Sequence, residues 1–162
     1  MSDTPRDYFE RARAWAATGL FIAGTLSIVG SFLDWVTIGE LPDVIPPDQA
    51  ARAEPFNGFD VTDGWATLVA GVVMLFAAGM LVLKARSSFA WLGFTGAIVA
   101  GGIAISDYRG IEQLFIDLEG IGRDPDPGIG LMLIAAGSLL GLISAVAAVA
   151  ATPSTPTEER AA

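Results

Sequence analysis

Two pairs of carboxylates stand at short spacing, Asp60 with Asp63 and Asp124 with Asp126, and they are the residues best suited to chemistry. Hard cations prefer carboxylate oxygen, and two acids flanking a bond can serve as general acid and base. Neither pair falls in the spacing of an EF-hand loop, and no nucleophile can be assembled with a base beside it. The chain has no Cys and no His. Thiolate or imidazole ligation of zinc, copper, an iron-sulfur cluster or haem is therefore excluded, as are disulfides and triads built on either residue. No catalytic, cofactor-binding or metal-ligating residue is assigned, and the chain is not expected to be an enzyme.

The elements that would position these acids are set by where charge is missing. Of 162 residues, 52% are hydrophobic and 17% charged, against roughly 25% charged in an ordinary soluble domain. Uncharged stretches run from Ala14 to Leu33, Gly64 to Leu83, Ser87 to Ser106 and Pro127 to Thr157. Each reaches the roughly 20 residues that carry a helix across about 30 Å of hydrocarbon. A soluble bundle would need a polar face on every helix, and these stretches have none. The expected fold is an all-α membrane protein, a four-transmembrane-helix bundle with spans at about 14–34, 64–83, 87–106 and 128–152.

Orientation follows from Lys and Arg, which collect on the cytoplasmic side of short loops. Arg6, Arg11 and Arg13 precede the first span, Lys84 and Arg86 fill the tight connection between the second and third, and Arg160 lies in the tail. The other connections, 35–63 and 107–127, hold Arg52, Arg109 and Arg123 beside twelve of the acids, and a thirteenth, Asp34, adjoins the first. Both long loops are thus expected outside, and both termini in the cytoplasm of a bacterial plasma membrane. Trp15, Trp35, Trp65 and Trp91 all lie near proposed span ends, where an amphipathic ring anchors a helix at the headgroups.

Residues 1–13 read as a cytoplasmic start, and residues 153–162, rich in Thr, Pro, Glu and Ala, as a disordered tail. In the long first outer loop, Trp35 to Ile38 and Phe56 to Val61, the latter around Asn57-Gly58, suggest a small β element. In the second, Ile111, Leu114, Phe115 and Leu118 recur at helical spacing among acids, which predicts a short amphipathic helix.

Within lipid, helices associate by close packing of small residues. Gly19, Ala23 and Ser27 in the first span, Gly93, Ala97 and Gly101 in the third, and Gly137, Gly141 and Ala145 in the fourth each share one helix face. They are the candidate packing or partner-contact residues. No ionisable residue falls inside any of the four uncharged stretches, which speaks against a proton relay or a voltage sensor. Hydroxyls such as Thr18, Thr25, Ser27, Thr67, Thr95, Ser138 and Ser144 can bond back to their own helices.

Three short motifs, Gly30-Ser31-Phe32-Leu33-Asp34-Trp35, Asp63-Gly64-Trp65 and Gly128-Ile129-Gly130-Leu131, together resemble a pattern found in small four-helix membrane proteins of actinobacteria, whose members commonly carry Pro where Asp34 stands. The layout also resembles that of claudin-like proteins, without the paired cysteines of their first loop. The resemblance implies an accessory, scaffolding or regulatory subunit of a larger cell-envelope complex, such as a lipid transporter or a respiratory assembly. The expected partners are membrane lipid and a larger membrane protein, with no nucleic acid. The alternative is a small transporter or channel component acting as a homo-oligomer.

Overall fold

The structure, a computed structural model, describes residues 5–38, 56–59, 63–118 and 125–152. Asp60, Asp124 and the tail 153–162 lie outside the described residues, so the expectations placed on them stand as they were. Four long helices make up nearly all of the described chain: α1 (Pro5–Phe32), α2 (Asp63–Lys84), α3 (Ser87–Leu118) and α4 (Ile129–Ala151). Each contains a segment long and apolar enough to cross a membrane. Three short strands, β1 (Asp34–Ile38), β2 (Phe56–Asn57) and β3 (Pro125–Pro127), close one end.

The helices form a four-membered ring. α1 packs on α2 and α4, α3 packs on the same two, and the diagonal pairs scarcely meet. Much of what fills the interior is small: Ala16, Ala23, Ala77, Ala97, Ala100 and Ala145 are buried, with Leu20, Met74, Leu81 and Ile134 as large side chains among them. Large apolar residues such as Phe21, Phe76, Ile98, Ile105, Leu139 and Ile143 point outward. This distribution inverts that of a soluble bundle and suits a bundle whose solvent is hydrocarbon.

The packing residues read from the sequence lie at helix contacts. A Cβ on Gly19 would collide with the Ser144 side chain, one on Gly137 would meet the Ala23 carbonyl at 3.0 Å, and one on Gly141 would meet Ala97 and Met74, each at 3.0 Å. Gly101 faces Ser138, and Gly93 faces Leu20. The expected hydroxyl bonds to preceding carbonyls are made by Thr18, Thr25, Thr67, Thr95 and Ser138. Ser27 differs. Its Oγ is buried without a partner among the described residues, pressed against Gly137 in the α1–α4 contact.

α1 begins at Pro5, so the helix continues ahead of the span drawn from residue 14. Proline is favoured in a first helical turn, and nothing between it and Ala14 breaks the helix, so the basic start and the span are one rod of about 42 Å. The short amphipathic helix of the second loop is no separate element, because α3 runs unbroken to Leu118. No proline intervenes before Pro125, and the one glycine between the apolar run and Leu118, Gly110, is tolerated inside a helix at modest cost.

The β element exists and is larger than its sequence signals suggest. β1 is central in a three-stranded antiparallel sheet of order β2-β1-β3. The unforeseen strand is β3, Pro125-Asp126-Pro127, drawn from the second connection. Val36, Thr37 and Ile38 stand opposite Pro127, Asp126 and Pro125. The Gly128 N–H donates to the Trp35 carbonyl at 2.7 Å. By the alternation of antiparallel pairs, Asp126 is then the next residue to bond across, and both prolines sit where a nitrogen faces away from β1. At an edge, a missing N–H costs nothing.

Candidate functional site

The sheet-capped end is where the three motifs meet. α1 ends at Phe32 and the chain enters β1 two residues later, with a register shift between Asp34 and Val36 that makes Trp35 the extra residue of a bulge. A bulge re-aims one side chain, and here it sends the indole inward. Trp35 is 1% exposed. Its Nε1 donates to the Gly30 carbonyl at 2.9 Å.

Glycines from two other parts of the chain flank this ring. A Cβ on Gly58 would lie 2.5 Å from the indole, and one on Gly130 would lie 2.9 Å from it. Gly58 is presented by an Asx turn in which the Phe59 N–H donates to Asn57 Oδ1 at 2.8 Å. The Gly58 carbonyl then accepts from the Gly64 N–H at 2.8 Å, tying the turn to the first residues of α2. Gly30 and Gly130 approach so closely that a Cβ on either would sit within 2.7 Å of the other's carbonyl oxygen. Beneath them, the hydroxyls of Ser31 and Thr67 share a hydrogen bond of 2.8 Å, and the hydroxyl that accepts it donates to a carbonyl of its own helix, Ser27 O for Ser31 or Gly64 O for Thr67. α1, α2 and α4 are therefore pinned together at one end through backbone contact and buried hydroxyls.

This arrangement corrects the grouping of the tryptophans. Trp15, Trp65 and Trp91 are 76%, 61% and 55% exposed, as residues able to sit at a membrane boundary would be. Trp35 is instead an internal keystone, because the bulge and the cleared glycine space draw it inside. Outside the cap, Phe59 packs between Phe32 and Trp65, with ring centroids 4.8 Å and 4.9 Å apart. Phe32 and Trp65 leave this aromatic row open on the surface.

Of the acids paired in the sequence, Asp63 and Asp126 are among the described residues, and Asp60 and Asp124 lie outside them. Asp63, at the start of α2, meets Asp107 of α3, whose carboxyl is hydrogen-bonded to it. Asp107 is half-buried, and its Oδ2 has no partner among the described residues. Asp63 gains from the positive end of the α2 dipole. Among the described residues no three acids come together as a metal site would require. Two carboxylates fall well short of the six to eight oxygens that calcium takes.

A second feature lies on the flank. Between α3 and α4 opens an almost wholly apolar groove of about 880 Å³, with Tyr108, Arg109 and Pro127 at the capped end. It comes from the same small residues that allow α3 and α4 to approach at Gly101 and Ser138, and no motif in the sequence marks it. Comparison with known protein families, characterised proteins and solved structures finds no match to this chain.

Proposed function

We propose that this chain is a non-catalytic accessory or scaffolding subunit of a larger complex in a bacterial plasma membrane, working by contact, with both termini in the cytoplasm and the sheet-capped end outside. The observation that carries the reading is the cap itself. β1, the turn at 56–59, β3 and three helices meet around buried Trp35, and the surface they form leaves Phe32 and Trp65 exposed. Exposed aromatic groups on a preorganised frame are the side chains that contribute most at protein interfaces.

The charge distribution supports the orientation. Antiparallel helices put Arg11, Arg13, Lys84 and Arg86 at one end of the bundle and Asp34, Asp63, Asp107 and Asp126 at the other. The basic end belongs in the cytoplasm by the positive-inside rule. The interior, filled by Leu20, Met74 and the alanines around them, suits a scaffold better than a conduit.

Extraction of the full-length protein from its native membrane in mild detergent tests the proposal. A larger membrane protein should accompany it in fixed ratio, and Trp65→Ala should weaken that recovery while leaving the bundle folded. Recovery as a homo-oligomer alone, with solute flux in liposomes, would replace this reading by a small transporter or channel component.

A further inference from the structure

We infer that the groove between α3 and α4 is a binding site for one acyl chain of an anionic phospholipid, whose phosphate pairs with Arg109. The inference rests on the bundle's lying in a membrane and is independent of any protein partner.

Length is the first argument. The groove extends along α3 from Ala97 to Tyr108 and along α4 from Leu142 to Leu131. Eleven residues of helix rise about 16 Å, close to half of the roughly 30 Å hydrocarbon core. The site therefore runs from the headgroup boundary to the bilayer midplane, the depth of one leaflet. A partner transmembrane helix would instead call for a groove along the full span, and would need room for a body about 10 Å across.

Shape and polarity agree with that length. On α3 the small residues Ala97, Gly101, Gly102 and Ala104 form a bare strip flanked by Ile98 and Ile105, an apolar trough in which a chain would lie. A Cβ at Gly102 would have no atom within 4 Å, which marks open space there. Polar groups gather at one end only: Tyr108 and Arg109, both exposed, stand at the outer mouth, and Ser138 bonds back to Ala135 within its own helix.

Charge decides the headgroup. Arg109 is the only basic residue described at the capped end, and no ion-pair partner is found for it among the described residues. A guanidinium recognises phosphate by paired N–H donors. Asp126 on β3 is the exposed acid nearest to Pro127 in the chain and keeps the local field from being broadly cationic, so the preference comes from one guanidinium and not from a basic surface.

Native mass spectrometry of the full-length protein in detergent, with phosphatidylglycerol or phosphatidylcholine added, tests the assignment. The wild type should retain one phosphatidylglycerol at collision energies that strip phosphatidylcholine. Gly102→Leu fills the groove and should abolish retention. Gly79→Leu is the control, since Gly79 on α2 also faces open space but lies outside the groove; it should bind like wild type. Arg109→Gln should reduce the retained phosphatidylglycerol about tenfold, the scale of one charge-assisted hydrogen bond, to the level of phosphatidylcholine. Equal retention of both lipids by wild type, unchanged binding in Gly102→Leu, or displacement by millimolar inorganic phosphate would each overturn the proposal. So would a homodimer that Gly102→Leu dissociates, which would make the groove a contact between copies.

Discussion

The indole nitrogen of Trp35 donates to the carbonyl oxygen of Gly30, five residues earlier and 2.9 Å away. The bond folds the end of α1 back upon itself and fixes the first strand over the bundle. Gly30 O also accepts from Leu33 N–H at 3.3 Å, so it keeps one partner if the indole is lost. Trp35→Phe should therefore cost about 1 kcal/mol for the hydrogen bond, and Trp35→Ala about 3–5 kcal/mol because a cavity opens beside Gly30, Gly58 and Gly130. Thermal unfolding in detergent measures both. Equal melting temperatures for wild type and Trp35→Ala would remove the indole from its place as keystone.

How far the sequence reveals this end depends on distance along the chain. The helices are legible because charge is missing over the length a bilayer demands. The ladders of Gly19, Ala23, Gly137 and Gly141 are legible because four-residue spacing survives without knowledge of a partner. Other features depend on elements remote in sequence. Hydropathy falls at Asp107, which marks where apolar solvent could end and says nothing about where the helix does, so the continuation of α3 reads as a new element. Pro125-Asp126-Pro127 has no strand propensity and becomes a strand only because an edge tolerates proline. Trp35 stands at a helix end, as its exposed counterparts do, and its burial depends on Gly58 and Gly130, which the sequence places 23 and 95 residues away. The lipid groove leaves no motif because it is a space between helices.

Gly24 and Gly71 form a reciprocal contact that no ladder announces. A Cβ on Gly24 would lie 2.7 Å from the Gly71 carbonyl, and one on Gly71 would lie 2.8 Å from the Gly24 carbonyl. Backbone blocks both, so neither residue can enlarge unless α1 and α2 separate. Gly71→Leu should destabilise the bundle by about 1–3 kcal/mol or more, whereas Gly79→Leu on the same helix, facing open space, should leave melting unchanged or slightly raised. A melting temperature for Gly71→Leu equal to that of Gly79→Leu would show that α1 and α2 do not meet there.

Ala85 links α2 to α3 with a φ of 47°, a left-handed conformation in a residue that carries a Cβ. Its N–H donates to the Leu81 carbonyl at 3.2 Å, which closes the helix end in the manner usually left to glycine. The Cβ penalty is about 1–2 kcal/mol, partly offset in a glycine variant by the greater entropy of the unfolded chain. Ala85→Gly should therefore stabilise the protein by up to about 1 kcal/mol, a rise of about 2–4 °C in melting temperature for a chain of this size. Ala85→Val should lower it, because a β-branched side chain tolerates positive φ least. The reverse order would mean that the two-residue turn does not hold this conformation.

Orientation can be read directly because the chain has no cysteine of its own. Thr37 on β1 and Ser87 at the start of α3 are both exposed, and they stand at opposite ends of the bundle. With the capped end outside, Thr37→Cys should react with a membrane-impermeant maleimide in intact cells, and Ser87→Cys should react only after the membrane is opened. Ala51→Cys and Gly120→Cys, in the two outer connections, should follow Thr37. The opposite pattern would put the acidic end in the cytoplasm, against the positive-inside rule. It would also move the groove to the inner leaflet while leaving Arg109 at its mouth, so the lipid assignment and the orientation fail by different measurements.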